Sequence, residues 1–177
     1  MLTLNWKRFL KNTVFLCPDA QERCVINPIG YQWFDLNTDD KNYILQESKK
    51  AEKVLSDYIL EVSNYFKLAY SQICISGFSQ GCMMSLNVGL TLEEKFLCIV
   101  GFSGKIINQK DLKNRIKNNT ETLLIHGEAD QIVPSTHLLE AKDFLIRNNV
   151  KVDTLLIKNC DHHIPICLLY TSPSPRD

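Results

Sequence analysis

Long apolar runs are missing from this sequence. No stretch approaches the ~20 residues that span a bilayer, and the N-terminus has no apolar segment of the secretory kind. An excess of charge is missing too. Lysine plus arginine number 20 and aspartate plus glutamate number 20, so the formal net charge is zero. Nucleic-acid binding calls for a basic stripe, and this balance argues against it. The one locally basic stretch, Lys105 to Lys117, is broken by isoleucine, leucine and acid, and it reads as a solvated helix face. Seven cysteines occur with no CxxC pair and no zinc-like spacing. Cys74, Cys82 and Cys98 sit in apolar segments, where a thiol acts as a small hydrophobe. That usage fits a reducing cytoplasm. Glycine is scarce, 7 in 177 residues, and Gly30 alone precedes Gly77.

What is present fits one domain in which short apolar runs alternate with helical patterns. Thr13 to Cys17, Ser71 to Ser76, Phe96 to Phe102, Thr122 to His126 and Val152 to Ile157 are candidate strands. Their residues are apolar on both parities, as in a parallel sheet covered on both faces. Ala51, Val54, Leu55, Tyr58, Ile59, Val62, Tyr65 and Phe66 recur at i, i+3, i+4, which is one face of an amphipathic helix. Ser135 or Thr136 caps a second helix running to about Arg147, with Leu138, Ala141, Phe144 and Leu145 inward. Gln21 to Asp40 reads as loop. The alternation predicts an α/β fold: a mostly parallel sheet with helices on both faces.

Three segments carry chemistry. Gly77-Phe78-Ser79-Gln80-Gly81 is a G-x-S-x-G motif set between a strand and a helix. A serine hydroxyl is a weak nucleophile that must be held exposed beside a base. A sharp strand-to-helix turn does this, with glycines relieving the crowding. The helix start aims the Gln80 N–H at the site as an oxyanion donor. His126 to Pro134 follows the fourth candidate strand and offers Asp130 as an orienting acid, with Glu128 as its competitor. Cys160-Asp161-His162-His163 follows the fifth. Adjacent histidines do not easily ligate one ion, so a metal site is not expected there. His126 and His137 are expected to be structural. Serine, acid and histidine then stand in the chain order of α/β-hydrolases.

These pieces resemble the phospholipase/carboxylesterase family of α/β-hydrolases, which includes bacterial carboxylesterases and acyl-protein thioesterases. The resemblance rests on PDA at 18–20, GYQWFDL at 30–36, GFSQG at 77–81, GFSG at 101–104, HGEADQIVP at 126–134 and HHI at 162–164. It implies Ser79 as nucleophile, Asp130 as acid and His162 as base, with Asp161 in place of the family's glycine before the histidine. His163 stays open as the alternative base. The resemblance also implies that Gln32 and Trp33 lie near an acyl pocket. Ester or thioester hydrolysis would run through an acyl-enzyme, on a small substrate, without metal or organic cofactor.

The departures from that pattern concern the ends. No H-G-x-G loop precedes Ser79, and no native-looking segment follows Ile166. Cys167 to Asp177, CLLYTSPSPRD, resembles the translation of a sequencing adapter. Residues 1–166 are therefore expected to be a partial hydrolase domain, and 167–177 a non-native tail. Two other functions follow from this reading. One is a catalytically impaired fragment with the elbow retained. The other is a lactonase of the dienelactone type, against which Ser79 argues because those enzymes usually place cysteine at the elbow.

Overall fold

The computed structural model describes residues 6–24, 27 and 29–165. The tail expected at 167–177 lies outside them. The centre is a four-stranded, all-parallel sheet in sequential order: β3 (Cys74–Phe78), β4 (Cys98–Phe102), β5 (Thr122–Gly127) and β6 (Val152–Ile157). Parallel neighbours need crossover connections. These are α2 (Gln80–Thr91), α3 (Gln109–Arg115) and α4 (Thr136–Arg147), and α1 (Lys41–Phe66) precedes the sheet. Ahead of α1 a two-residue hairpin, β1 (Glu22–Arg23) with β2 (Tyr31–Gln32), orders part of the segment expected to be loop. The Arg23 guanidinium sits 4.5 Å above the Tyr31 ring and braces it.

Side chains of one parity carry the core. Ile99 and Leu124 pack with Leu86, Leu90, Leu112, Leu138, Phe144 and Leu145. Ile75 packs with Phe34, Ala51, Leu55, Ile59, Met84 and Val88. Helix α2 contributes to both groups and is buried from Cys82 to Leu90, which explains a sequence apolar all round rather than on one stripe. The described helices thus cover one face. A helical layer on the second face, expected from the sequence, is not found among the described residues. On that face the Trp6 ring stacks on Phe102 at 6.1 Å. The Cys74 and Cys98 thiols, opposite each other in register, lie 3.3 Å apart.

Several boundaries differ from the sequence reading for local reasons. Thr13 to Cys17 forms no strand; Val14 and Leu16 are 66% and 43% exposed, and a strand persists only where it pairs. The segment before β3 begins as a 3₁₀ turn at Tyr70–Gln72, closed by Gln72 Oε1 accepting from the Ala69 N–H at 3.0 Å. Helix α1 starts at Lys41 because Asp40 caps it, its carboxylate accepting from the N–H groups of Asn42 and Tyr43 at 2.9 and 3.1 Å. Within α1 the polar Glu52 is buried, held by Arg115 Nη1 at 2.7 Å and by Asn87 Nδ2 at 2.7 Å. That pairing takes Arg115 out of the solvated face expected for Lys105 to Lys117. No described helix is long and apolar enough to cross a membrane.

Candidate active site

The turn from β3 into α2 places Ser79. Its φ of 53° and ψ of −115° lie outside the ordinary regions, and such strain persists only when the surroundings enforce it. Here the Ser79 N–H donates to the Phe102 carbonyl at 2.8 Å, tying the turn to β4. Gly77 is required by packing: a Cβ there would lie 2.1 Å from the Gly81 carbonyl carbon. Gly81 differs from the expectation of crowding on both sides. A Cβ on it would meet no atom within 4 Å, because Gly81 borders open space.

The loop after β5 carries the acid. Asp130 is buried, and its Oδ1 accepts from the N–H groups of Ile132 and Val133 at 3.0 and 2.8 Å. His126, also buried, braces this loop. Its Nε2 contacts the Val133 carbonyl at 2.8 Å; a carbonyl only accepts, so Nε2 carries the proton. Glu128 is exposed on the same loop. Burial by itself raises the Asp130 carboxyl. The His162 ring and the Val133 and Ile132 N–H groups outweigh burial and hold it below the ordinary carboxylate range.

The loop after β6 brings His162 to both groups. Its Nδ1 is 2.7 Å from Asp130 Oδ2, and its Nε2 is 3.0 Å from Ser79 Oγ. A carboxylate accepts, so the proton sits on Nδ1 and leaves the Nε2 lone pair facing the hydroxyl. The Phe78 ring packs against the imidazole with centroids 4.7 Å apart. His163 turns away: its Nδ1 pairs with Asp161 Oδ1, and its side chain is 54% exposed. Gln80 opens α2, so its N–H is among the four that a helix leaves without an internal acceptor. His137 pairs with Glu140 on the surface at 2.8 Å.

A cleft of about 530 Å³ opens above the serine. One wall is Phe78, Ser79, Gln80 and Gly81; the other includes Pro18, Ala20, Ile29, Tyr31 and Trp33. The pair expected near an acyl pocket is split. Trp33 lines the cleft, whereas Gln32 reaches toward Glu22 Oε2 at 3.4 Å across the hairpin. Sequence reasoning missed the Gln80 side chain. It accepts from the Trp33 N–H and donates to the Phe34 carbonyl, each at 2.7 Å. No local pattern signals it, because those partners lie 47 and 46 residues away.

A parallel sheet, a strand–serine–helix elbow, and an acid and a histidine on later loops define a chain of the α/β-hydrolase class. The model of the phospholipase/carboxylesterase family matches residues 1–169, and the chain belongs to that family. It is similar to acyl-protein thioesterase 1 of Yarrowia lipolytica, 28% identical over 170 residues, covering 87% of this chain and 69% of that protein. It is also similar to acyl-protein thioesterase 1 of Gibberella zeae, 30% identical over 146 residues, covering 73% and 62%. Four such relatives are spanned over 69%, 62%, 63% and 52% of their own lengths. Among solved structures, esterase PE8 superposes with a TM-score of 0.89 at 32% identity, over 96% of this chain and 80% of that one. Acyl-protein thioesterase 2 of Zea mays shares the fold, with a TM-score of 0.63 at 21% identity over 92% and 81%.

Proposed function

We propose that this chain is a serine hydrolase acting on small carboxylic esters or thioesters through an acyl-Ser79 intermediate. The observation that carries this reading is the unbroken contact from Asp130 Oδ2 through His162 to Ser79 Oγ, at 2.7 and 3.0 Å. In the forward step His162 Nε2 takes the Ser79 proton while Oγ attacks the substrate carbonyl. The oxyanion that forms faces the Gln80 N–H at the start of α2. The imidazolium, stabilised by the Asp130 carboxylate, returns its proton to the departing alkoxide or thiolate. Water then enters, gives its proton to His162 and releases the acid from Ser79. The relatives, two thioesterases and an esterase, support both leaving groups. A cytoplasmic location belongs to the same reading and rests on the cysteine usage.

The test is release of p-nitrophenol from p-nitrophenyl acetate, and of thiol from a short acyl thioester, by the full chain and by Ser79→Ala. Turnover by the first and none by the second is expected. Undiminished turnover in Ser79→Ala would overturn the mechanism. An absence of turnover and of any acyl-enzyme burst in the parent would favour the impaired-fragment reading.

A further inference from the structure

We infer that the Gln80 side chain is a positioning residue: it fixes the segment from Tyr31 to Phe34 as the wall facing Ser79, and so sets how well the cleft accepts an apolar acyl chain. This rests on the hydrolase reading above. The carboxamide has one acceptor and one donor group, and both are used on consecutive residues of that segment. Oε1 takes the Trp33 N–H and Nε2 gives to the Phe34 carbonyl, each at 2.7 Å. Neither a carboxylate nor an aliphatic side chain can make both bonds.

The base of this clamp is as rigid as the nucleophile, because Gln80 follows Ser79 directly on the first turn of α2. The wall is held otherwise by the short β1–β2 pairing, by Arg23 over the Tyr31 ring and by Trp33 against the core, and its outer side chains are open to solvent. Ile29 is 88% exposed and Tyr31 is 42% exposed. Behind the wall Phe34 is 1% exposed and joins the α1 and α2 core, so the chain stays anchored on that side without Gln80. Loss of the clamp therefore loosens the wall and leaves the fold standing. Ala20, Ile29, Tyr31, Trp33 and Phe78 set apolar side chains into a cleft whose exposed lining, with Asp19, Ser79 and Gln80, is otherwise largely polar. Substrates that fill it depend on the position of the wall, and an acetyl group next to Ser79 depends on it least.

The experiment compares the full chain with Gln80→Ala and Gln80→Glu. Both variants keep the backbone N–H at position 80. Two readouts are taken: kcat and KM on p-nitrophenyl acetate and p-nitrophenyl octanoate, and hydrogen exchange over residues 31–36. The octanoate-to-acetate ratio of kcat/KM should fall about tenfold in both variants, mainly through KM for octanoate: Gln80→Ala loses both hydrogen bonds, and Gln80→Glu keeps an acceptor for the Trp33 N–H but turns a carboxylate to the Phe34 carbonyl. Exchange over 31–36 should quicken about tenfold while that of β4 and β5 stays unchanged. Unchanged exchange over 31–36 overturns the proposal, as does an equal loss on both esters. If Gln80→Ala does not fold, Gln80→Glu decides by the same criteria. A parent chain inactive on both esters overturns the hydrolase reading instead, and exchange alone then decides the role of Gln80.

Discussion

Ser79 Oγ and His162 Nε2 lie 3.0 Å apart although 83 residues separate them in sequence. The adjacent imidazole of His163 is turned to Asp161 on the surface. Adjacent residues thus present one ring to the Ser79 hydroxyl and the other to the surface.

His162→Ala should lower kcat on p-nitrophenyl acetate by at least about 10²–10⁴-fold, the usual contribution of a positioned base. His163→Ala should stay within a few-fold of the parent. Steady-state kinetics on both variants check this. A dead His163→Ala beside a live His162→Ala would reverse the assignment of the base.

The two glycines of the elbow should respond differently to one methyl group. A Cβ at Gly77 would collide with backbone at 2.1 Å, and backbone cannot swing aside as a flexible side chain can. Gly77→Ala should be insoluble or melt far below the parent. Gly81→Ala adds its methyl to open space, so it should fold with a near-parental Tm. Soluble yield and thermal melts separate the two, and equal damage would contradict the geometry of the turn.

That difference marks how far the sequence could be read. Strands β5 and β6 were legible because β-branched and leucine residues fill both parities, and Val152 to Ile157 appears with its expected bounds. Ser79, Asp130 and His162 could be singled out because chemistry and chain order constrain them, and their side chains meet in the structure. Thr13 to Cys17 misled because apolar composition does not supply a pairing partner. Val54 and Tyr65 kept the α1 period yet are 44% and 81% exposed, while Glu52 is buried. Its burial depends on Arg115, 63 residues on, and a distant partner leaves no local trace. The clamp at Gln80 was hidden for the same reason.

The Glu52–Arg115 pair makes a stability prediction. The Glu52 side chain is 9% exposed and that of Arg115 28%, and Asp111 also holds the guanidinium at 2.7 Å. Removing one partner strands a buried charge, which typically costs about 3–5 kcal/mol. Arg115→Ala should therefore lose several-fold more stability than Lys53→Ala. The latter breaks an exposed i,i+4 pair with Asp57, worth about 0.3–0.5 kcal/mol. Urea melts of the two variants test this; equal midpoints would contradict it.

Asp130 makes a prediction about acid. Its folded pKa lies below the usual value, so the unfolded chain binds the proton more readily. The carboxylate then contributes stability in full above about pH 5, and this is lost as pH falls through the folded value. Asp130→Asn should be less stable than the parent at pH 7, and the gap in Tm should narrow as pH falls below about 4. Asp111, whose pKa burial raises but Lys49 and Arg115 hold below the ordinary value, titrates in both proteins and cancels in the difference. Melts from pH 7 to pH 3 read the gap; a constant gap would contradict the account.

The central claim is that Ser79 is an activated nucleophile, and a fluorophosphonate probe measures this most directly. Such a reagent phosphonylates a serine only where a base takes its proton. Intact mass and peptide mapping of the labelled chain should show one adduct, on Ser79. Labelling should vanish in Ser79→Ala and fall at least about 10²-fold in rate in His162→Ala. An adduct on another residue, or labelling of Ser79 at the same rate in His162→Ala, would contradict the account.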